Sequence, residues 1–253
     1  MKKDGHYILP LPLKNSTITL PNNRNSALHR MNTLKKKCQR QQQFFEDYKA
    51  FMNEMITKGY ASKSTASIPD GKTWYIPHFG IYDPNKPGKI RVVFDCSAQF
   101  KGTSLNQHLM SGPDLTSQLV GVLLRFRQKE VAFMADIEKM FYRVVVQEIQ
   151  RNLLRFLWWR DSNFNQEPQD YHMNVHLFGT VSSPSCTIYA LKRTAKDFGS
   201  QDTKEIQAIK RDFDLDDLLK SVSTTSEGVN QDRRPATNRE GPGRCMENPK
   251  RKF

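Results

Sequence analysis

Cysteine is scarce in this 253-residue chain, and long apolar runs are absent. The four cysteines lie far apart, at Cys38, Cys96, Cys186 and Cys245, and no two have the spacing of a zinc-ligand pair. Residues 131–135 are typical of the longest apolar runs, whereas a membrane-spanning helix needs about 20 such residues. No apolar signal region follows the first residues. These absences predict a reduced, intracellular chain (cytoplasmic or nuclear) that is neither secreted nor inserted in a membrane.

Negative charge is also in deficit: 26 Asp and Glu stand against 39 Lys and Arg, which gives a formal net charge of +13. Such a chain suits a polyanionic partner, because each phosphate contact releases bound counterions. The excess lies on the flanks, since residues 1–40 hold nine basic and one acidic residue, and residues 223–253 hold seven and four. Nucleic acid is therefore a predicted partner, and a basic tail on an ordinary protein is the alternative.

Helical spacing of apolar residues predicts several helices. Residues 1–25 read as an extended arm, and Ser26 is a candidate N-cap for a long helix that ends near Gly59. Asp114 is a candidate N-cap for a second helix, and Pro184 is suited to open a third.

Strands are predicted where β-branched and aromatic residues cluster between turn signals, at residues 90–94, 131–135, 143–146, 154–159 and 171–177. Residues 60–72 read as a loop. Two apolar flanks around an acidic turn predict a hairpin at residues 213–222. From residue 223 onward, only five of 31 residues are apolar or aromatic. Such a segment cannot bury enough surface to offset its ordering entropy, so it is predicted to be disordered.

Three aspartates are candidates for metal-dependent phosphoryl transfer. Asp136 follows a predicted strand, and Asp216 and Asp217 are adjacent in the predicted hairpin turn. Phosphoryl transfer uses hard oxygen ligands to hold two Mg²⁺ ions about 4 Å apart. The ordinary alternative is that Asp136 caps a helix and that the pair lies in a solvated turn. Spacing alone does not separate these interpretations.

Two cations, Lys89 and Arg91, alternate along a predicted strand, so their side chains would share a face. One interpretation is a clamp for a triphosphate, and the other is an ordinary basic edge strand. His172 and His176 also lie four residues apart, but no carboxylate or cysteine pattern accompanies them, and they are interpreted as structural.

Several collinear motifs resemble the reverse transcriptases of BEL/Pao-class LTR retrotransposons. They include WYIPH at 74–78, NKPGKIRVVFDCS at 85–97, KGTSLN at 101–106, MADIEKMF at 134–141, LRFLWW at 154–159, VHLFGTVSSPSC at 175–186 and FDLDDLLKSV at 213–222. The stretch LPNNR at 20–24 resembles the region that precedes the polymerase domain. The resemblance covers roughly residues 7–225.

This resemblance implies an RNA-directed DNA polymerase that uses a template–primer of RNA or DNA, dNTPs and two Mg²⁺ ions (or Mn²⁺). Asp136, Asp216 and Asp217 match the catalytic, metal-binding aspartates. Arg91 and, less closely, Lys89 match cations that hold the incoming triphosphate. The other matches with a role are Phe141, at the ring that excludes a ribose 2′-hydroxyl, and Phe178 with Gly179, which contact the nucleotide and template.

The implied fold is α+β, with reverse-transcriptase-like fingers and palm at residues 71–222. A basic arm and helix at 1–70 precede it, and a disordered basic tail at 223–253 follows. A thumb, RNase H and integrase are missing from the expected order. Asp214 stands where the family has Tyr, and Thr180 where it has Gly. These departures favour the alternative of a catalytically inactive nucleic-acid-binding remnant.

Overall fold

The structure, a computed structural model, describes residues 2–3, 5–64, 71–84, 88–198 and 203–227. The predicted disordered tail therefore lies largely outside the described residues. The chain divides into two compact units. Unit 1 comprises Met1–Tyr7, Gly112–Val144 and Pro184–Phe253, and unit 2 comprises Ile8–Ser111 and Val145–Ser183.

Helices and strands alternate irregularly along the described residues. The α-helices are α1 (Arg24–Arg40), α2 (Gln42–Thr57), α3 (Leu105–His108), α4 (Leu119–Phe126), α5 (Ser183–Phe198) and α6 (Lys204–Arg211). Short 3₁₀ helices span Met140–Arg143, Glu148–Leu154 and Arg160–Ser162. The strands are β1 (Lys2–Lys3), β2 (His6–Leu9), β3 (Ala61–Lys63), β4 (His78–Tyr82), β5 (Ile90–Phe94), β6 (Val131–Asp136), β7 (Val144–Val146), β8 (Arg155–Trp158), β9 (Gln169–Met173), β10 (Phe213–Asp214) and β11 (Asp217–Val222). No helix among these is long and apolar enough to cross a membrane.

Unit 1 is built on a three-stranded antiparallel sheet in the order β10-β11-β6. Alternation along the strands divides their side chains between two faces. One face presents Ala135, Phe213 and Leu218 to a buried cluster that includes Ile188 of α5 and Ala208 of α6. The other face carries the aspartates. The predicted hairpin and the strand before Asp136 are both confirmed.

Unit 2 holds a sheet in the order β3-β9-β8 and the antiparallel hairpin β4-β5. Helix α1 buries Ala27, Met31, Leu34 and Cys38, which recur at helical spacing and form its inner face. Aromatic rings fill the core: Tyr48 of α2 stacks on Trp158 of β8 at 5.4 Å between centroids. The core is therefore assembled from α1, α2 and strands far away in sequence.

Helix boundaries near the N-terminus differ from the prediction. The long helix is two helices that break at Gln41, and β3 occupies part of the predicted loop at 60–72. Gly59 does follow the end of α2, with a φ of +70°. Ser26 lies inside α1, because the helix begins after Asn23. The Asn23 amide donates to the Tyr75 carbonyl at 2.7 Å and accepts from the Tyr75 N–H at 2.8 Å.

The prediction that Asp114 caps a helix is wrong. Helix α4 begins only at Leu119, and the Asp114 carboxylate accepts from the N–H of Thr116 at 2.9 Å. The Thr116 hydroxyl donates to the same oxygen at 2.5 Å. Asp114 therefore closes a local turn, which is the alternative that short polar side chains offer the backbone.

A buried histidine, His78, lies at the centre of the aromatic core. Its Nε2–H donates to the Leu157 carbonyl at 2.9 Å, so its Nδ1 accepts from the Tyr48 hydroxyl at 2.5 Å. Burial lowers the pKa of His78 to about 4 from an ordinary 6.5. Burial also lowers the pKa of the fully buried His176 to about 4, against a smaller opposing effect of the Leu9 backbone. The native fold holds both rings neutral.

These histidines predict a loss of stability in mild acid. The unfolded chain takes up protons as the pH falls below 6.5, whereas the folded chain does not until about pH 4. Their stabilisation is complete above pH 6.5 and is lost as the pH falls toward 4, by roughly 3 kcal/mol per histidine. Urea unfolding at pH 7, 6, 5 and 4.5 measures it. A free energy of unfolding that stays constant over this range would contradict the prediction.

Candidate metal and nucleotide site

Three acidic residues lie in one row across the sheet of unit 1. Asp217 of β11 is the register partner of Asp136 on β6 and of Asp214 on β10. Directly opposed residues in antiparallel strands have their Cα atoms about 5 Å apart and share a face of the sheet. Asp136 and Asp217 are exposed, and Asp214 is half-buried. The row therefore places carboxylates next to each other at one end of the sheet.

Asp216 lies in the tight turn between β10 and β11, beside this row. Leu215 before it adopts a left-handed φ of +56°, which costs a branched side chain conformational energy. The Asp216 carbonyl accepts a hydrogen bond of 2.9 Å from the N–H of Ile137. This bond fixes the turn to the residue that follows Asp136. The structure thus brings Asp136, Asp216 and Asp217 together at the same end of the sheet.

The aspartates fit a divalent cation in part. Carboxylate oxygens are the hard ligands that Mg²⁺ prefers, and the Asp136 side chain has no hydrogen bond or ion pair with the described residues. However, no group of three or more His, Cys, Asp or Glu side chains in the described part of the chain has an arrangement that could hold a metal ion. The backbone register therefore places Asp136 and Asp217 side by side, but the described residues do not form a complete set of metal ligands.

Phe141 belongs to the same unit, five residues after Asp136. It lies in the 3₁₀ helix Met140–Arg143, which follows Lys139 at a left-handed φ of +53°. Its side chain is only 9% exposed. Packing holds the ring in place, as a steric filter would need.

The two predicted phosphate-binding cations lie in unit 2. Arg91 is the register partner of Ile81 on the β4-β5 hairpin, and its side chain is 61% exposed. Its guanidinium is 4.0 Å from the Asp83 carboxylate, a long and exposed contact of little energy. Lys89 is also exposed and directly precedes β5. Arg91 is thus available for an anionic ligand.

Phe178 and Gly179 belong to a loop of unit 2 at residues 178–181. The Phe178 side chain is 61% exposed, which is unusual for a large aromatic residue. Gly179 has a φ of +111°, and a Cβ there would lie 2.8 Å from the Phe94 carbonyl oxygen. Only glycine fits this conformation and this approach. Thr180, next to it, is buried and hydrogen-bonds to the Ser183 hydroxyl at 2.5 Å.

Replacement of Gly179 by Ala is expected to destabilise the protein strongly. The new Cβ would meet the Phe94 backbone and would also strain a disfavoured φ, so we expect a cost of roughly 3 kcal/mol. Gly59 is a matched control, because its φ is +70° and nothing lies within 4 Å of an added Cβ. Gly59→Ala should cost roughly 1 kcal/mol from the backbone alone. Urea unfolding of both variants measures the difference, and equal costs would contradict the close approach.

Asn106 also holds this loop, a role that local sequence patterns do not indicate. Its side chain bonds to Gly179 and Val181, which follow it by more than 70 residues in the chain. Its presence in the KGTSLN motif was the one signal, and a motif does not reveal a contact at such separation.

Comparisons with known proteins agree with this architecture at the level of the fold. No protein-family model matches the chain, and no curated protein matches it. The chain is similar to two structures of foamy viral protease–reverse transcriptase. One is a complex with double-stranded DNA (TM-score 0.53, 14% identity), and the other is a complex with an RNA/DNA hybrid (TM-score 0.54, 13% identity). A mutant of the prototype foamy virus enzyme has a TM-score of 0.55 at 14% identity.

Each similarity covers 90% of this chain, but the chain spans only 25–31% of the length of those proteins. The fold is therefore reverse-transcriptase-like.

Proposed function

We propose that the chain is the polymerase region of a BEL/Pao-class retrotransposon reverse transcriptase, which copies RNA into DNA. The observation that carries this proposal is the register of Asp136 opposite Asp217, with Asp216 in the adjoining turn, within a reverse-transcriptase-like fold. In this proposal residues 71–222 provide fingers and palm, and residues 1–70 precede them.

Two Mg²⁺ ions, or Mn²⁺, would be held by Asp136, Asp216 and Asp217 and would neutralise charge on the transferring phosphate. The chain's own residues would do the rest. Arg91 and Lys89 would bind the triphosphate of a dNTP as cations. Phe141 would leave no room for a ribose 2′-hydroxyl, and Phe178 with Gly179 would contact the nucleotide and the template.

A nucleic acid partner is consistent with the charge of +13 and with the neighbours, whose structures contain double-stranded DNA or an RNA/DNA hybrid. We propose a template–primer duplex as that partner. Its binding should weaken steeply with salt, because phosphate contacts release counterions.

A second candidate function is nucleic-acid binding without catalysis. The observation that favours it is Asp214, which is in register with Asp217 and extends the acidic row. Neighbouring carboxylates repel one another, and a third carboxylate in the row adds to this repulsion. A tyrosine, which the resembling family has at this position, would carry no charge.

Replacement of Asp214 by Tyr is therefore expected to increase primer extension, by roughly tenfold if the repulsion amounts to about 1.4 kcal/mol. Glu130→Gln, which also removes one acidic charge from unit 1 at an exposed position outside the row, is the control. Single-nucleotide incorporation rates measure the effect. A folded Asp214→Tyr protein with the parent rate would contradict a limiting role of Asp214.

The experiment that tests the proposed function is primer extension on an RNA template with dNTPs and Mg²⁺, run beside template–primer binding at several salt concentrations. Extension that depends on Mg²⁺ supports the polymerase. Salt-dependent binding without extension supports the second candidate. Neither extension nor binding by a folded protein would contradict both.

A further inference from the structure

One side chain, Asn106 in α3, holds the 178–181 loop through two hydrogen bonds and donates a third to Ser97. Its Nδ2 donates to the Gly179 carbonyl and to the Ser97 hydroxyl, both at 2.9 Å. Its Oδ1 accepts from the N–H of Val181 at 3.0 Å. An Asn side chain has two donor hydrogens and one acceptor oxygen, and all three are used here.

The loop needs such a partner because its backbone has little regular structure to satisfy it. Gly179 has a φ of +111°, which glycine adopts readily, and the carbonyl oxygen of Phe94 lies close by. Asn106 binds the backbone on both sides of Thr180, through one carbonyl and one N–H. These two hydrogen bonds from Asn106 therefore help to determine the backbone path of the segment that carries the exposed Phe178 ring.

Asn106 is itself well fixed. Its own N–H donates to the Cys96 carbonyl at 3.2 Å. The start of α3 is closed by a capping box, in which the Ser104 N–H donates to the Gln107 side chain at 3.1 Å. The bond to Cys96 and the capping box both restrain the Asn106 backbone, so its side chain reaches the loop from a fixed position.

We propose that Asn106 is a positioning residue that holds the 178–181 loop so that the Phe178 ring meets the incoming nucleotide. This inference rests on the proposed function, which makes Phe178 and Gly179 a nucleotide contact. The amide is required chemically: an Asp at this position would still accept from Val181 but would place a carboxylate oxygen against the Gly179 carbonyl, where a donor is needed.

The test compares Asn106→Ala and Asn106→Asp with Asn163→Ala, which removes another Asn side chain of unit 2 that bonds to backbone, at the N–H of Asn165 (2.9 Å) and outside the loop. Steady-state primer extension on an RNA template gives KM for the dNTP and kcat, and hydrogen exchange reports the Val181 amide in the full chain. For both Asn106 variants we expect KM to rise about tenfold with kcat within about twofold, and Val181 to exchange faster. Asn163→Ala should leave KM near the parent value.

Two results would overturn the inference while leaving the proposed function intact. One is an extending parent whose Asn106 variants keep its KM, and the other is an Asn163→Ala variant whose KM rises as much as theirs. If Asn106→Ala does not fold, the near-isosteric Asn106→Asp decides in its place. A folded parent that does not extend the primer would overturn the proposed function and this inference with it. The parent protein alone shows that result, so it is distinguishable from a failure of the inference.

Discussion

Primer extension is expected to fall about 1,000-fold when Asp136 is replaced by Ala, while the protein stays folded. Asp136 is exposed at the end of β6, so its removal leaves no cavity and no unpaired buried group. In the proposed mechanism it binds metal, and losing several kcal/mol of charge stabilisation at roughly 1.4 kcal/mol per tenfold gives a loss of this size. Single-turnover incorporation of one dNTP with Mg²⁺ measures it, with thermal unfolding as the check on folding.

The matched control is Glu130→Ala. Glu130 is another exposed acid of unit 1, it directly precedes β6, and its removal changes the net charge by the same amount. It should extend like the parent. If Asp136→Ala and Glu130→Ala have equal rates, Asp136 has no catalytic role and its register with Asp217 is only structural.

The largest loss of stability is expected for Asp170→Ala, at about 3–5 kcal/mol. Arg155 is 1% exposed and lies 3.4 Å from the Asp170 carboxylate, which also accepts from the Tyr75 hydroxyl. Removing the acid takes the Asp170 charge away from a buried guanidinium that also donates to the neutral side chain of Asn152. Urea unfolding of the full chain measures the loss.

Arg24 provides the control, because it pairs with the same carboxylate from the outside. Its nitrogen is 3.0 Å from Asp170, shorter than the Arg155 contact, but its side chain is 36% exposed. Solvent screens such a pair, so Arg24→Ala should cost about 1 kcal/mol or less. If Arg24→Ala costs as much as Asp170→Ala, burial of Arg155 is not what makes the network important.

Local patterns in the sequence predicted the core of unit 1 well. The apolar run of β6 and the paired flanks of the β10–β11 hairpin both consist of residues adjacent in the chain, and both predicted elements are confirmed. The register of Asp136 against Asp217 could be suspected but not fixed, because it depends on how strands more than 80 residues apart align. The acidic row with Asp214 emerges only from that alignment.

The predicted start of α1 was wrong because Asn23 has a partner far away in the sequence. Ser26 is as good an N-cap as Asn23 on local grounds, yet α1 begins after Asn23, whose amide is engaged with Tyr75. The contacts of Asn106 with the 178–181 loop were not predicted for the same reason. The structure gives the exposure or the backbone conformation of the other candidate residues, but their roles remain predictions. They are Lys89, Arg91, Phe141, Phe178 and Gly179.

Manganese binding followed by electron paramagnetic resonance tests the central claim most directly, because it asks whether the aspartates form a metal centre. The parent chain, Asp136→Ala and Asp217→Ala would be titrated with Mn²⁺ in the presence of template–primer and a dNTP. We predict that the parent binds Mn²⁺ and that both variants lose this binding while they still bind template–primer. Mn²⁺ binding that is the same in all three proteins would contradict the account.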